Sequence, residues 1–193
     1  MLMRYWSVDT WPLNPYILDK SRLIGKKYIG FWGHTGKPGV LGNECFSQWY
    51  IREFIVDGIT YCCMEQYMMA MKAICFDDYD IFRKIMNSAN PKDIKALGRR
   101  VHNFNSVTWD RVKQDIIRTG NFEKFTQNLD LMNYLVNTGD SVLVEASPYD
   151  IVWGIGMRAT DPNFYDFRKW RGENLLGFSL MHVRDEIKAR FCM

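Results

Sequence analysis

The sequence predicts an α+β fold: a single, mostly helical domain carrying a small antiparallel sheet. Three observations predict it. The middle of the chain holds consecutive stretches rich in helix formers and helix caps; an Asp57-Gly58 turn joins two alternating runs; and a late apolar run, "SVLVEAS", reads as a strand. A length of 193 residues suits one domain, and a hydrophobic share of 47% is ample for one buried core.

Residues 1–26 are aromatic-rich and broken by Pro12 and Pro15, and read as an N-terminal extension packed on a domain spanning 27–193. "KKYIGFWG" is a first strand. "CFSQWYIREFIVDGITYC" alternates and reverses at Asp57-Gly58, a dipeptide that tolerates the positive φ angles of a tight hairpin. "CMEQYMMAMKAICF" and "DDYDIFRKIMNS" follow as helices, the second with acids in its first turn. Asn90-Pro91 supplies an N-cap and first-turn pair for "PKDIKALGRRV". Thr108 is the expected cap of "WDRVKQDIIRT", with Gly120 as its stop. "NFEKFTQNLDLMNYLVNT" is a fifth helix ended by Gly139, and "LLGFSLMHVRDEIKARF" is a closing amphipathic one. "ATDPNFYDFRKWRGEN" is a polar-aromatic loop before it.

Composition excludes several classes. Twenty-five basic against 22 acidic side chains leave a net charge of +3, which suits a phosphate-bearing ligand but is too little for a dedicated nucleic-acid binder. The five cysteines are odd in number, with Cys62 and Cys63 adjacent and no C-x-x-C, which argues against a disulfide framework or structural zinc. Metal-binding histidine spacings, a Walker A loop, a dinucleotide fingerprint and a nucleophile elbow are all missing, so neither metal nor cofactor is expected. No signal-peptide apolar core or membrane-length apolar run occurs, and a reducing, cytoplasmic setting is expected.

Two stretches could carry chemistry. At helical spacing Glu65, Met68, Met69 and Lys72 share one face. An acid and a lysine around two thioethers fit a pocket wall with an acid/base carboxylate and an anion-binding ammonium. They also fit a methionine-lined core whose charged heads snorkel to water. The second stretch is "SPYDIVWGIG", after the late strand. Asp150 offers an acceptor for ribose hydroxyls or a second carboxylate, Trp153 a flat ring, and Gly154 and Gly156 room for backbone to approach a ligand. The alternative is a tight Asx-type turn over a core tryptophan. Arg99, with Lys92 and Lys95, and Lys124 in "FEKF" are candidate phosphate contacts, although basic helix faces are ordinarily solvated. Trp109 is either a stacking plate or a core residue beside Val112 and Ile116.

The order of these pieces resembles the NADAR family, also called YbiA-like. F-S-Q-W-Y (46–50), D-G-x-x-Y (57–61), M-E-Q-Y-x-x-A-x-K (64–72), L-G-R-R-V (97–101), W-x-x-V-K (109–113) and K-F-x-Q-N (124–128) carry the first half. L-V-E-A-S-P-Y-D-I-V-W-G-I-G (143–156), W-R-G-E-N-L-L-G (170–177) and L-M-x-V-R (180–184) carry the second. The family's usual L-S-N-F-Y reads F-S-Q-W-Y here, placing Gln48 where an asparagine is expected, and the 157–169 segment is longer than in compact bacterial members.

The resemblance implies an N-glycosidase acting on ribosyl–nitrogen bonds. One branch of the family hydrolyses phosphoribosylamino-pyrimidine intermediates of riboflavin synthesis; another removes ADP-ribose from guanine in nucleic acid. It implies Glu65 as the principal catalytic carboxylate, with Trp109 and Asp150 as its companions. Lys72, Arg99, Lys124, Trp153, Gly154, Gly156, Gln48 and Asn174 are then expected to bind substrate. Three readings compete: release of ADP-ribose from guanine, cleavage of the riboflavin-pathway compound, and non-catalytic ADP-ribose binding.

Overall fold

A computed structural model describes residues 23–191; all of the expected N-terminal extension except residues 23–26 lies outside them. In chain order the elements are β1 (Tyr28–Phe31), a 3-10 turn (Asn43–Phe46), β2 (Phe54–Val56) and β3 (Ile59–Tyr61). Then come α1 (Met64–Cys75), α2 (Tyr79–Met86), α3 (Pro91–Gly98), α4 (Ser106–Thr126) and α5 (Leu129–Val136). β4 (Val142–Glu145), a second 3-10 turn (Phe167–Lys169) and α6 (Leu175–Phe191) complete it. The fold is mostly helical with small sheets, as the sequence predicts. The chain divides into two compact units, one being Ile51–Gln127 and the other containing residues 23–50 and 128–191.

In the Ile51–Gln127 unit, β2 and β3 form the expected antiparallel hairpin. Asp57 (φ 51°) and Gly58 (φ 78°) both take positive φ, as a twist-matched two-residue turn requires. Gln127 clamps the outer strand: its Oε1 accepts from the Ile55 amide at 2.8 Å and its Nε2 donates to the Ile55 carbonyl at 2.7 Å. Helix α1 packs against α2, α3 and α4. Gln66 pins the start of α1, accepting from the Cys62 amide at 2.7 Å and donating to the Ser88 carbonyl at 2.9 Å. Asn90 caps α3 through the Lys92 amide, as predicted.

Helix α4 differs from expectation at both ends. Its cap is Asn105, whose side chain accepts from the Thr108 amide, so Thr108 lies one turn inside. Gly120 does not stop the helix, which runs on to Thr126. A Cβ at position 120 would run into the Tyr67 ring and sit 2.8 Å from the Met64 methyl. That glycine answers to packing against α1, a tertiary demand with no local signature. The predicted fifth helix is accordingly split, its first part belonging to α4 and its second to α5, which ends before Gly139 at φ 68°.

In the other unit β1 and β4 pair in parallel, Tyr28 opposite Val142 and Phe31 opposite Glu145. This parallel pair adds to the antiparallel one the sequence predicts. All four β4 residues are buried, with α6 packed on the strand. Arg184 of α6 is buried and donates to the Thr138 hydroxyl at 2.9 Å and the Ser141 carbonyl at 2.8 Å, fastening the turn that enters β4.

Candidate active site

The eleven residues expected at the site divide between the two units, Glu65, Lys72, Arg99, Trp109 and Lys124 in one and the remaining six in the other. In the first unit Glu65 lies in the first turn of α1 and is only 2% exposed. A negative charge there is favoured by the helix N-terminus. Met68 and Met69 are buried on the same face, and Met69 fills the space beside Gly98 of α3. Lys72, at the opposite end of the face, donates to the Gly98 carbonyl at 2.9 Å and lies 4.1 Å from the centre of the Phe104 ring. Desolvation holds its ammonium below the ordinary lysine range; the Arg99 charge lowers it further, and Glu65 opposes both. Glu65 is therefore inside the protein with a lysine in electrostatic reach, and snorkelling to water does not describe it.

The other residues of this unit sort by burial. Lys124 is 0% exposed, with its ammonium 5.3 Å from the Phe125 ring centre. Arg99 is exposed at the end of α3. Trp109 is buried on the α4 face with Val112 and Ile116, the packing position its spacing suggests. Tyr67 Oη and Asn121 Nδ2 are buried and have no hydrogen-bond partner among the described residues. Buried polar atoms are ordinarily satisfied, so α1 and α4 retain hydrogen-bonding capacity for a further group. Asn121 escaped the sequence reading because nothing local sets it apart from an exposed asparagine.

The loop after β4 is built differently. Asp150 Oδ1 accepts from the amides of Val152 (2.9 Å) and Trp153 (2.8 Å), making the Asx turn that was one of its two readings. Trp153 is half-buried. A Cβ on Gly154 would lie 2.8 Å from the Glu145 carbonyl and 2.9 Å from that of Asp150. The close approach at Gly154 is by the protein's own backbone. Gly156 takes φ 68°, with Arg171 against it.

Asn174 is 0% exposed and at φ 56°. Its Oδ1 accepts from the Glu145 amide and its Nδ2 donates to the Leu143 carbonyl, both at 2.9 Å. It fastens β4, a structural task the sequence does not announce. Gln48 is 7% exposed, and its Oε1 has no hydrogen-bond partner among the described residues. Glu145, buried at the end of β4, is a further carboxylate beside this loop that the sequence reading left among strand residues.

Elsewhere in this unit a cleft of about 390 Å³ is lined by Leu23, Lys26, Tyr28, Tyr165, Asp166 and Arg168, none of them an expected site residue. Among the described residues no helix is long and apolar enough to cross a membrane, and no cluster of three or more His, Cys, Asp or Glu could hold a metal.

Comparison with known proteins gives concordant matches. An N-glycosidase of Acanthamoeba polyphaga mimivirus is 45% identical over 165 residues, covering 83% of this chain and 96% of that protein. The chloroplastic riboflavin biosynthesis protein PYRR of Zea mays is 33% identical over 138 residues, 68% of this chain but 20% of that longer protein. The NMR structure of YbiA from E. coli superposes with a TM-score of 0.70 at 25% identity, covering 86% of this chain and 88% of that one. The model of the NADAR domain matches residues 30–188, and the chain belongs to the NADAR family.

Proposed function

We propose that the protein is an N-glycosidase that hydrolyses a ribosyl C1′–N bond, with ADP-ribose joined to guanine in nucleic acid as its substrate. The observation that carries the reading is Glu65: a carboxylate 2% exposed, on a helix whose next turns hold Lys72, in a chain 45% identical to a protein named an N-glycosidase. Breaking a C1′–N bond passes through an oxocarbenium-like ribosyl cation, which needs a nearby negative charge and a positioned water. Glu65 supplies the charge and takes the proton of the attacking water. General-base help of this kind is worth about 10²–10⁴-fold.

Lys72, Arg99 and Lys124 are assigned to the diphosphate and Trp109 to a ring face. In the other unit, taken by itself, the second oxygen of Asp150 is proposed as an acceptor for a sugar hydroxyl and Trp153 as a stacking ring. Gln48 supplies an amide, and Gly154, Gly156 and Asn174 shape the loop that presents them. The reaction, as proposed, needs no metal or nucleotide cofactor. The mild positive charge and the long 157–169 segment support a large, anionic substrate.

The match to the maize riboflavin protein supports a second reading, cleavage of a phosphoribosylamino-pyrimidine. Purified protein is offered DNA bearing ADP-ribosylated guanine and, separately, that pyrimidine intermediate. Free ADP-ribose from the first supports the proposal; ribose 5-phosphate from the second alone replaces it. Tight ADP-ribose binding with neither product makes the protein a non-catalytic reader.

A further inference from the structure

Immediately before α1 stand two cysteines that the hydrolytic reading does not use. Cys62 is half-buried and Cys63 fully buried, and their sulfurs lie 3.9 Å apart, within S–H···S contact. Cys63 is the N-cap residue of α1, yet its side chain makes no capping hydrogen bond. The hydrogen bond from Cys63 draws the Cys62 thiol down to about 7, against the opposing pull of burial, while the same bond and burial push Cys63 well up. The contact thus favours the thiolate on Cys62, the half-buried sulfur, and keeps the proton on buried Cys63.

We propose that Cys62 and Cys63 form a reversible thiol–disulfide modification site whose oxidant is a low-molecular-weight disulfide such as glutathione disulfide. The Cys62 thiolate attacks one sulfur of that disulfide, forming a mixed disulfide and expelling one glutathione thiolate, which picks up the proton Cys62 gave to solvent. Cys63 then loses its proton and attacks the Cys62 sulfur, breaking the mixed disulfide and expelling the second glutathione. Two protein thiols are oxidised and one glutathione disulfide becomes two glutathione thiols.

The ring so formed is strained. Adjacent α-carbons across a trans peptide are about 3.8 Å apart, below the roughly 4.4 Å at which disulfides ordinarily begin. Strained disulfides are easily reduced, which marks this one as a labile modification and not a structural crosslink. Closure must draw the sulfurs from 3.9 Å to bonding distance, pulling on the turn that Gln66 pins and that leads into Glu65.

The test reads thiols, so it stands or falls separately from the hydrolase proposal. Folded protein is equilibrated with glutathione disulfide, alkylated, digested, and the peptide holding both cysteines is weighed. The expected wild-type peptide resists alkylation, carries no glutathione and regains both thiols with dithiothreitol. Cys63→Ser is expected to stop at one glutathione on Cys62, and Cys62→Ser to stay unmodified at Cys63; Cys63→Ala replaces the first variant if circular dichroism shows that serine unfolds it. A wild-type peptide alkylated on both sulfurs, or one holding glutathione as stably as Cys63→Ser does, overturns the proposal.

Discussion

Helix α1 and the loop after β4 hold the same kinds of residue, an acid flanked by aromatic and small neighbours, and use them in opposite ways. Along α1 the carboxylate of Glu65 and the ammonium of Lys72 are drawn into an apolar face, and Tyr67 Oη on the same helix is buried with no hydrogen-bond partner among the described residues. Around the loop, polar atoms are consumed in building the chain: Asp150 Oδ1 holds two amides, Asn174 holds two β4 groups, and Gly154 lies against two carbonyls. A helix satisfies its own backbone and leaves its side chains available, whereas an irregular loop must recruit side chains to satisfy its backbone. Changes on α1 should therefore cost activity before stability, and changes in the loop the reverse.

The largest expected effect is on the helix. Glu65→Gln preserves volume and should lower turnover roughly 10³-fold while leaving the melting temperature nearly unchanged. Asn174→Ala is the opposite case: it strands the Glu145 amide and the Leu143 carbonyl inside the protein. A loss of about 3 kcal/mol in denaturant unfolding is expected, with turnover per folded molecule within a few-fold of wild type.

Gly154→Ala drives a methyl into two backbone oxygens and should cost about 1–3 kcal/mol, read as a lower melting temperature. Asp150 separates its two duties: Asp150→Ala should lose about 1–2 kcal/mol through the uncapped amides, and Asp150→Asn should recover most of it. If both variants lose turnover equally, the Asp150 charge serves the reaction; if only the alanine does, the turn alone matters.

The smallest effect tests burial away from the proposed chemistry. Desolvation raises Asp115 from 3.8 to about 6, only partly opposed by Arg118. The fold therefore binds this proton more tightly than the unfolded chain, and stability falls as pH rises through that window. Asp115→Asn should stabilise by about 1 kcal/mol above pH 6, after allowance for solvent screening, and the gain should vanish below the unfolded value.

Features decided by neighbouring residues were legible in the sequence. Asp57-Gly58 and Asn90-Pro91 carry their own geometry, so the hairpin and the start of α3 sit where predicted. Gly120 reads as a stop because what explains it, the Tyr67 ring and the Met64 methyl, lies more than fifty residues earlier. The β1–β4 pairing joins strands more than a hundred residues apart, and nothing in either run names its partner or direction. At the site, the spacing puts Glu65 and Lys72 on one face, but its covering depends on α3, whose Gly98 lies against Met69 and accepts from Lys72. Asn174 was legible only as part of a motif; its work on β4 rests on a positive φ and on contacts about thirty residues back.

Most direct for the central claim is a single-turnover experiment with Glu65→Gln in excess over DNA bearing ADP-ribosylated guanine, alongside the equilibrium affinity for the same DNA. Binding within a few-fold of wild type, with release of ADP-ribose slowed by roughly three orders of magnitude, is the predicted result. Wild-type release by a folded Glu65→Gln protein would contradict it and take the chemistry away from α1.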